Sequence, residues 1–373
     1  MTADGPSTPL PDRCASCGSA LAPRARFCES CGAAQPGADG EVPTASGEAV
    51  DRGPISVPTV RRRVSPVARP RPPCTACGGE VGEDGYCLTC GAKAQSERDH
   101  FREAPASWVA GVCDRGVRHP HNEDAMALHA EDEPTPRAVL VVCDGVSSST
   151  GSDVASLAAA RATLEVLAPR LPNGLGVQDS VEAAATAVLT RAAAAANAAV
   201  IAHTDPSSPS PASCTWVAAL VDGDRVRYAG IGDSRAYLLP DGEPGTQLTV
   251  DDSVAQAFVD AGMPRADAES GPGAHTIVKW LGLDAPDLVP RVGAVDVGGP
   301  GWLLVCSDGL WNYASEPAAL RARLDAVGSS DPAEVALGLV AWANAQGGHD
   351  NITVALARVG KNATRSETRE GHG

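Results

Sequence analysis

Apolar residues follow regular periods from about residue 107 to residue 359, and these periods predict the strands of one large domain. Two segments are wholly apolar over the length of a strand, Ala138–Cys143 and Trp302–Cys306. Thr215–Val221 and Arg225–Ile231 flank Asp222-Gly223, and an Asp-Gly pair between two such runs is typical of a hairpin turn.

Alanine-rich segments between these strands predict helices. Asp153–Ala168 and Val181–His203 have the propensity and the length of helices, and Pro332–Gln346 is a third. Asn351–Val359 follows as the last predicted strand. Strands joined by hairpins, with helix pairs between them, predict a layered α+β fold with antiparallel sheets.

The chain before residue 105 has a different composition, since it is rich in Pro, Gly and Arg and shows no sustained period. Segments of this composition cannot bury enough apolar surface to fold by themselves. We therefore predict a first cysteine module at 10–34, a disordered Pro/Arg-rich linker at 35–72, a second cysteine module at 73–93, the large domain at 105–360 and a disordered tail at 361–373.

The overall charge restricts the kinds of partner. Apolar residues make up 43% of the 373 residues, and the formal net charge is −16. An acidic chain does not coat nucleic acid or an anionic membrane by general electrostatics. The N-terminus shows no apolar stretch typical of a secretory signal, and no uninterrupted apolar run reaches the length of a membrane span. We expect a cytoplasmic protein without a membrane partner, in which the twelve cysteines bind metal or pack rather than form disulfides.

Eight of the cysteines form two modules of paired Cys-x2-Cys knuckles. The modules are Cys14, Cys17, Cys28 and Cys31, then Cys74, Cys77, Cys87 and Cys90. Two knuckles complete the tetrahedron of thiolates that zinc prefers, and four protein ligands leave no position for a substrate. We expect one structural zinc ion in each module; disulfides, unbound thiols and a redox iron site are the alternatives. The other four lie in or beside apolar strands and are predicted to be buried packing residues: Cys113, Cys143, Cys214 and Cys306.

Acidic residues also occur where predicted strands begin or end. Asp144-Gly145 and Asp308-Gly309 terminate the two wholly apolar strands, and such a position fixes a carboxylate rigidly at a cleft. Three further segments are Asn122-Glu123-Asp124, Gly232-Asp233-Ser234-Arg235 and Gly347-Gly348-His349-Asp350-Asn351. Taken singly, each is more typical of a turn or a helix cap than of a ligand.

Taken in order, these segments resemble the metal-dependent protein phosphatases of the 2C type. The matching strings are DRGVRHPHNEDA, VVCDGV, GIGDSRAYLL, LTVDDSVAQAFVDAG, VCSDGLW and GGHDNITV. The resemblance implies a four-layer α-β-β-α sandwich, in which two antiparallel sheets are flanked by helix pairs. It also implies hydrolysis of phosphoserine and phosphothreonine by a water activated between two Mn or Mg ions. Phosphoprotein substrates and a serine/threonine kinase pathway would then be the partners.

The resemblance further implies a set of metal ligands. Asp144 would bridge the two cations, with the carbonyl of Gly145 as a neighbouring ligand. Glu123 would hold one cation, and Asp308 and Asp350 would hold the other. All of these are oxygen ligands, which favour Mg or Mn over zinc.

Three residues would support this set. Asp233 matches a position that helps to bind a weaker third cation together with Asp308. Asp124 matches a position that orients ligands or bound water, and Asn351 stands in the same supporting role.

The sequence departs from the family's pattern where the substrate phosphate would be held. The family usually carries an arginine three residues before the Asn of its Asn-Glu-Asp motif; His119 stands there, and Arg118 lies one residue earlier. Either of them could bind the phosphate. Val146 replaces a histidine that acts as a general acid in some members, so a bound water, His119 or His121 would protonate the leaving oxygen.

Residues 251–282 match the flap, a segment beside the active site that varies among members. Two other classes of function are alternatives to the phosphatase. An inactive phosphatase-like scaffold would lack metal ligands, and none is missing. A nucleic-acid-binding regulator could use the cysteine modules and the basic linker, but aromatic residues make up only 3% of the chain and the chain is acidic.

Overall fold

The structure is a computed structural model of the chain. It describes Arg13 and residues 78–82, 85–91, 94, 96–131, 136–172 and 174–360. The predicted first cysteine module apart from Arg13, the linker at 35–72, the tail at 361–373, and Cys74 and Cys77 of the second module lie outside the described residues. The chain divides into two compact units, Met1–Gln35 with Glu97–Gly373, and Pro36–Ser96.

The larger unit contains both sheets and helices. Within the described residues its strands are β1 His100–Ala106, β2 Val109–Asp114, β3 Ala125–Glu131, β4 Arg137–Cys143, β5 Ser213–Cys214, β6 Trp216–Asp222, β7 Arg225–Ile231, β8 Arg235–Pro240, β9 Thr246–Gln247, β10 Leu281–Gly282, β11 Arg291–Asp296, β12 Gly301–Cys306 and β13 Ile352–Val359. The helices are α1 Ser152–Leu167, α2 Gln178–Ala202, α3 Val254–Asp260, α4 Arg265–Ser270, α5 Asp308–Trp311, α6 Pro317–Val327 and α7 Pro332–Ala345.

The strands form antiparallel sheets. In the part of the chain that the structure describes, one sheet has the order β1-β2-β13-β12-β8-β9, the other has the order β11-β7-β6-β4-β3, and β5 pairs separately with β10. Neighbouring strands such as β6 and β7 are joined by the predicted hairpin, where Gly223 has a φ of 60°. This left-handed conformation is readily adopted by glycine.

Alternation within single strands shows how the layers stack. Every residue of β4 is buried; Val139 packs with α1 and α2, whereas Leu140 packs against the opposite sheet. In β12, Leu303 packs between the sheets, and Leu304 packs with α6 and α7. Since successive side chains of a strand point to opposite faces, both sheets are covered on both sides. The layered α+β fold with antiparallel sheets and flanking helices is therefore confirmed.

Helix α2 is long and apolar enough to cross a membrane by length and composition alone. Its buried residues, among them Val188, Leu189 and Val200, pack instead in the core with α1 and the second sheet. The helix serves as a packed layer of the sandwich.

The predicted strands and helices are each confirmed to within a few residues, because their apolar patterns reflect burial on one or both faces. β1 has no counterpart among the predicted elements. It begins at His100, before the predicted domain start at residue 105, and the larger unit resumes at Glu97. Much of β1 is exposed at the edge of its sheet, so it lacks the apolar run of an interior strand.

A buried arginine ties α1 to β4. Arg137 is 1% exposed, and its guanidinium donates hydrogen bonds to the carbonyl oxygens of Leu167 (2.5 Å), Ala168 (2.6 Å) and Pro169 (2.8 Å). The last carbonyls of a helix have no partner within the helix, and a cation at this end also interacts favourably with the helix dipole. Arg137 therefore fixes the C-terminal end of α1 on the sheet.

Replacing Arg137 by Met should lower the free energy of unfolding by about 2–4 kcal/mol, because three carbonyl groups lose a charged donor. Urea denaturation followed by circular dichroism would show an earlier midpoint with an unchanged m value. The matched control is Arg170→Met. Arg170 is 61% exposed and pairs with Glu131, so its loss should change the free energy by less than about 1 kcal/mol. Equal effects of the two substitutions would contradict the role given to Arg137.

Candidate active site

Strand register brings the first acidic segments together at one edge of the second sheet. Ala125 at the start of β3 pairs with Cys143 at the end of β4. Glu123 and Asp124 just precede Ala125, and Asp144 just follows Cys143. The three carboxylates therefore lie side by side.

Register in the other sheet brings the remaining segments to the same place. Cys306 at the end of β12 pairs with Arg235 at the start of β8 and with Val354 near the start of β13. The acidic residues just beyond these positions meet at this edge: Asp308, Asp233 and Asp350. Both edges adjoin one another, because Asp144 experiences the charges of all three.

Asn351 holds the Asn-Glu-Asp segment in place. Its side-chain oxygen accepts a hydrogen bond from the Glu123 N–H at 2.8 Å. Its amide nitrogen donates to the carbonyl oxygens of Arg115 at 2.7 Å and His121 at 3.1 Å. Asn351 is 2% exposed, so this one buried side chain fixes the backbone that leads into Glu123.

Glycines allow the segments to approach closely. A Cβ atom on Gly145 would lie 2.6 Å from the carbonyl oxygen of Glu123, and one on Gly309 would lie 1.9 Å from that of Asn351. Real Cβ atoms do not come so close to a carbonyl oxygen, so the compact site requires glycine at both positions.

Two hydroxyl groups hold Asp124 and were not found by sequence reasoning. Ser307 and Thr353 each donate a hydrogen bond to its Oδ2 atom at 2.7 Å. Each is a hydroxyl residue in or beside an otherwise apolar strand whose end lies at the carboxylate cluster, and this pattern could have indicated them. The pair orients Asp124 so that its other oxygen, Oδ1, remains without a hydrogen-bond partner among the described residues.

The carboxylates are strongly coupled electrostatically. The pKa of Asp144 is raised well above its ordinary value, first by burial and then by the charges of Asp124, Asp308, Asp350 and Asp233. Crowded carboxylates in a poorly solvated place disfavour one another's charged forms. A bound cation would relieve this repulsion.

The same causes act on the neighbours of Asp144. Burial and the charges of Asp124 and Glu123 raise the pKa of Asp350 to about 7. Burial and Asp350 raise the pKa of Asp308 to about 6, against opposing effects that include a hydrogen bond from Asn312. Burial also raises the pKa of Asp124 to about 6.

The donor set fits hard divalent cations. Asp308 Oδ1 and Asp124 Oδ1 are buried without a hydrogen-bond partner in the described chain, a state that a cation or an ordered water corrects. Over the described ranges, no three His, Cys, Asp or Glu side chains form a ready-made site for a single ion. Mg²⁺ commonly takes only one or two carboxylates and keeps several waters. The cluster therefore suits hydrated ions that share carboxylates.

Contacts with Asp251 of the flap and with Trp311 hold the turn that carries Asp233 in place. The Arg235 guanidinium donates to Asp251 Oδ2 at 2.6 Å and lies 3.5 Å over the ring of Trp311. The Trp311 indole N–H in turn donates to the carbonyl oxygen of Asp233 at 2.9 Å. Sequence reasoning gave no role to Asp251 or Trp311, because their contacts depend on three segments distant in sequence.

The two candidates for phosphate binding occupy different places. His119 is 6% exposed, and its Nε2 atom lies 3.3 Å from Asp350 Oδ1. Burial lowers its pKa despite the nearby charges of Glu123 and Asp308. Arg118 is exposed at the rim, and its backbone N–H donates to the carbonyl oxygen of Gly348 at 3.1 Å. His121 is exposed at the border of the cluster, with Nε2 3.4 Å from Glu123 Oε1.

The four single cysteines are buried packing residues, as predicted: Cys113, Cys143, Cys214 and Cys306 are each 0% exposed. Burial, more than any other cause, raises the pKa of the Cys113 thiol to about 12. A thiol in that state is a poor nucleophile, so these residues belong to the core.

Two antiparallel sheets that gather carboxylates at a common edge are the arrangement that the resemblance to the metal-dependent phosphatases implies. The family model described as "Protein phosphatase 2C" matches residues 116–336, and the chain belongs to this family. The large domain is thus a domain of the protein phosphatase 2C family.

Relatives of known name support the same assignment. The serine/threonine protein phosphatase PstP of Mycobacterium tuberculosis is 32% identical over 254 residues, which are 67% of this chain and 44% of PstP. This chain therefore spans less than half of that relative. The serine/threonine phosphatase stp of Listeria innocua is 29% identical over 65% of this chain and 92% of its own length. The crystal structure of M. tuberculosis PstP/Ppp has a TM-score of 0.54 at 30% identity and covers 68% of this chain and 98% of its own.

Carboxylate repulsion determines how stability depends on pH when divalent cations are removed with EDTA. The pKa values of Asp350, Asp308 and Asp124 are about 7, 6 and 6 in the folded chain, above the ordinary 3.8. The folded state therefore binds more protons than the unfolded state between about pH 4 and 7, and this contribution to stability is lost as the pH rises through that window. Thermal denaturation should show that Mn²⁺ raises Tm more at pH 7.5 than at pH 5.

Asp308→Asn isolates this contribution. Without divalent cations at pH 7.5 the variant should be more stable than the parent by about 1–2 kcal/mol, and its stability should fall less between pH 5 and 7.5. It should also gain less Tm from Mn²⁺. A metal-free variant that is less stable than the parent at pH 7.5 would show that repulsion is not the dominant effect.

Proposed function

We propose that this protein is a Mn- or Mg-dependent phosphatase that removes phosphate from phosphoserine and phosphothreonine in other proteins. The observation that carries the proposal is the convergence of acidic residues from five chain segments at the common edge of two sheets. The substrates would be products of a serine/threonine kinase pathway.

The carboxylates would share the cations. Glu123 would hold one cation, Asp308 and Asp350 would hold the other, and Asp144 would serve both, with the Gly145 carbonyl as a neighbouring ligand. Asp233, with Asp308, would hold a third cation. When bound, the cations lower the pKa of water and offset negative charge on the phosphate.

The protein groups around the cluster would position the reactants. Asn351, Ser307 and Thr353 keep the carboxylates in fixed orientations, so that little rearrangement is needed during the reaction. Arg118 is the better candidate for the substrate phosphate, because it stands at the rim and has no ion pair among the described residues. His119 is buried against Asp350, and burial lowers its pKa, so that less of the ring is protonated and able to donate a proton.

Asp144→Ala should reduce Mn²⁺-dependent hydrolysis of p-nitrophenyl phosphate and of a phosphothreonine peptide by about 10³-fold or more, because the central ligand is lost. The matched control is Asp222→Ala, which alters an Asp-Gly pair in the β6–β7 hairpin and should retain full activity. Turnover that survives EDTA, or that survives Asp144→Ala, would exclude the mechanism.

The smaller unit supports a zinc site in the second cysteine module. Cys87 is 3% exposed, and its sulfur accepts a hydrogen bond from the Thr89 N–H at 3.4 Å. Gly78 and Gly91, which follow Cys77 and Cys90, have φ values of 73° and 71°. A knuckle turn requires such left-handed residues after its second cysteine. We propose that the two modules hold two structural zinc ions per chain. The protein would work in the reducing cytoplasm, and the modules would serve as docking or regulatory elements.

Elemental analysis of the purified full chain should find about two zinc ions per molecule. The double variant Cys87→Ser, Cys90→Ser should bind about one, because loss of two thiolates destroys one tetrahedral site. Cys214→Ala, which removes a core thiol, should still bind two. A parent chain without zinc would refute both modules.

A further inference from the structure

A row of aromatic side chains leads away from the carboxylate cluster along its outer rim. His349 stands next to Asp350, and its ring meets the ring of Tyr313 edge-on, with centroids 6.3 Å apart. Tyr313 meets Trp342 in the same way, also at 6.3 Å. The guanidinium of Arg323 on α6 lies 4.7 Å from the centroid of the Trp342 ring. We call His349, Tyr313 and Trp342 the aromatic row.

The row is anchored at the active site and open to solvent. The backbone N–H of His349 donates to the Tyr313 hydroxyl at 3.1 Å. His349 and Arg323 are exposed, while Tyr313 and Trp342 are half-buried. Phe, Trp and Tyr make up only 3% of the chain, so two of them side by side at the rim of the site give a surface suited to a bound chain.

An arginine side chain lies near each end of the row. Neither Arg118 nor Arg323 forms an ion pair within the described ranges. The backbone N–H of Arg118 donates to the carbonyl oxygen of Gly348 at 3.1 Å, and Gly348 is the residue before His349. By contrast, Arg321 on the same helix as Arg323 pairs with Asp241 and Asp325. In a chain of net charge −16, unpaired guanidinium groups beside the site attract anionic partners.

We propose that the aromatic row binds the polypeptide on one side of the phosphorylated residue, and that Arg323 selects an acidic residue in it. This deepens the proposed function and rests on it. Steps of 6.3, 6.3 and 4.7 Å separate His349 from Arg323, and an extended chain advances at most about 3.3–3.6 Å per residue. These steps amount to about five residues of extended chain, and to fewer where the row bends, so the acidic residue lies about three to five residues from the phosphoresidue.

The test uses two series of phosphothreonine peptides, with a single Glu moved from one to six residues before or after the phosphothreonine in an Ala-Gly background. The parent chain should prefer Glu three to five residues away, in one of the two series, by about 3- to 10-fold in kcat/KM. The change should fall mainly on KM, because the contact is equally present before and during the reaction. The preference should weaken as salt is raised.

Arg323→Glu should abolish or reverse this preference, and Arg323→Lys should retain part of it. Both should hydrolyse p-nitrophenyl phosphate at the parent rate, because that substrate has no polypeptide. Arg191→Glu on α2 is the matched control: Arg191 is likewise exposed, and the same charge change on the other helix layer should leave the preference intact.

Binding of fluorescent versions of the peptides to the Asp144→Ala variant, measured by anisotropy, reports the preference without turnover. Equal kcat/KM for Glu and Ala at every position, or equal effects of Arg323→Glu and Arg191→Glu, would overturn the proposal while leaving the phosphatase assignment intact. Absence of p-nitrophenyl phosphate hydrolysis by the parent would instead count against the proposed function, and the anisotropy series would still decide whether Arg323 selects acidic peptides.

Discussion

The carboxylates of Asp144, Asp308 and Asp350 crowd together in a place that water solvates poorly: the charges of Asp308 and Asp350 raise the pKa of Asp144, and the charge of Asp350 raises that of Asp308. Such an arrangement is unfavourable without cations, so the surrounding structure has to hold it together. The register of the antiparallel strands supplies most of this restraint, because it determines which acidic segments lie next to one another. Asn351 and the hydroxyls of Ser307 and Thr353 supply the rest through hydrogen bonds. The four-layer core makes these restraints rigid, since both sheets are covered on both sides.

Much of this could be predicted from the sequence, for a physical reason. Strands such as Arg137–Cys143 are buried on both faces, and double burial leaves an uninterrupted apolar run that is easily seen. A carboxylate immediately after such a run has a position fixed by the strand itself. The positions of Asp144 and Asp308 were therefore predictable. The segments that carry Glu123 and Asp350 precede the strands that pair beside them.

The remaining features depend on contacts that no local pattern records. The edge strand β1 carries polar residues because one of its sides meets solvent, so its sequence does not resemble an interior strand. Arg235 is a charged residue in a strand, and its burial becomes intelligible only when Asp251 and Trp311 are found beside it. Arg118 and His119 are adjacent in sequence, yet one lies at the rim and the other in the cluster. Which of two neighbours turns inward is decided by packing from other segments.

The crowding of carboxylates also sets the stability of the domain against its capacity to bind cations. Most proteins stand only slightly above the stability that they need, and changes that relieve strain at a functional site commonly raise stability at the expense of activity. A neutral residue in place of any of these aspartates would relieve the repulsion and would also weaken the hold on cations. The chain carries acidic residues at all six positions: Glu123, Asp124, Asp144, Asp233, Asp308 and Asp350. The domain therefore bears the cost of this repulsion, which the binding of cations would offset.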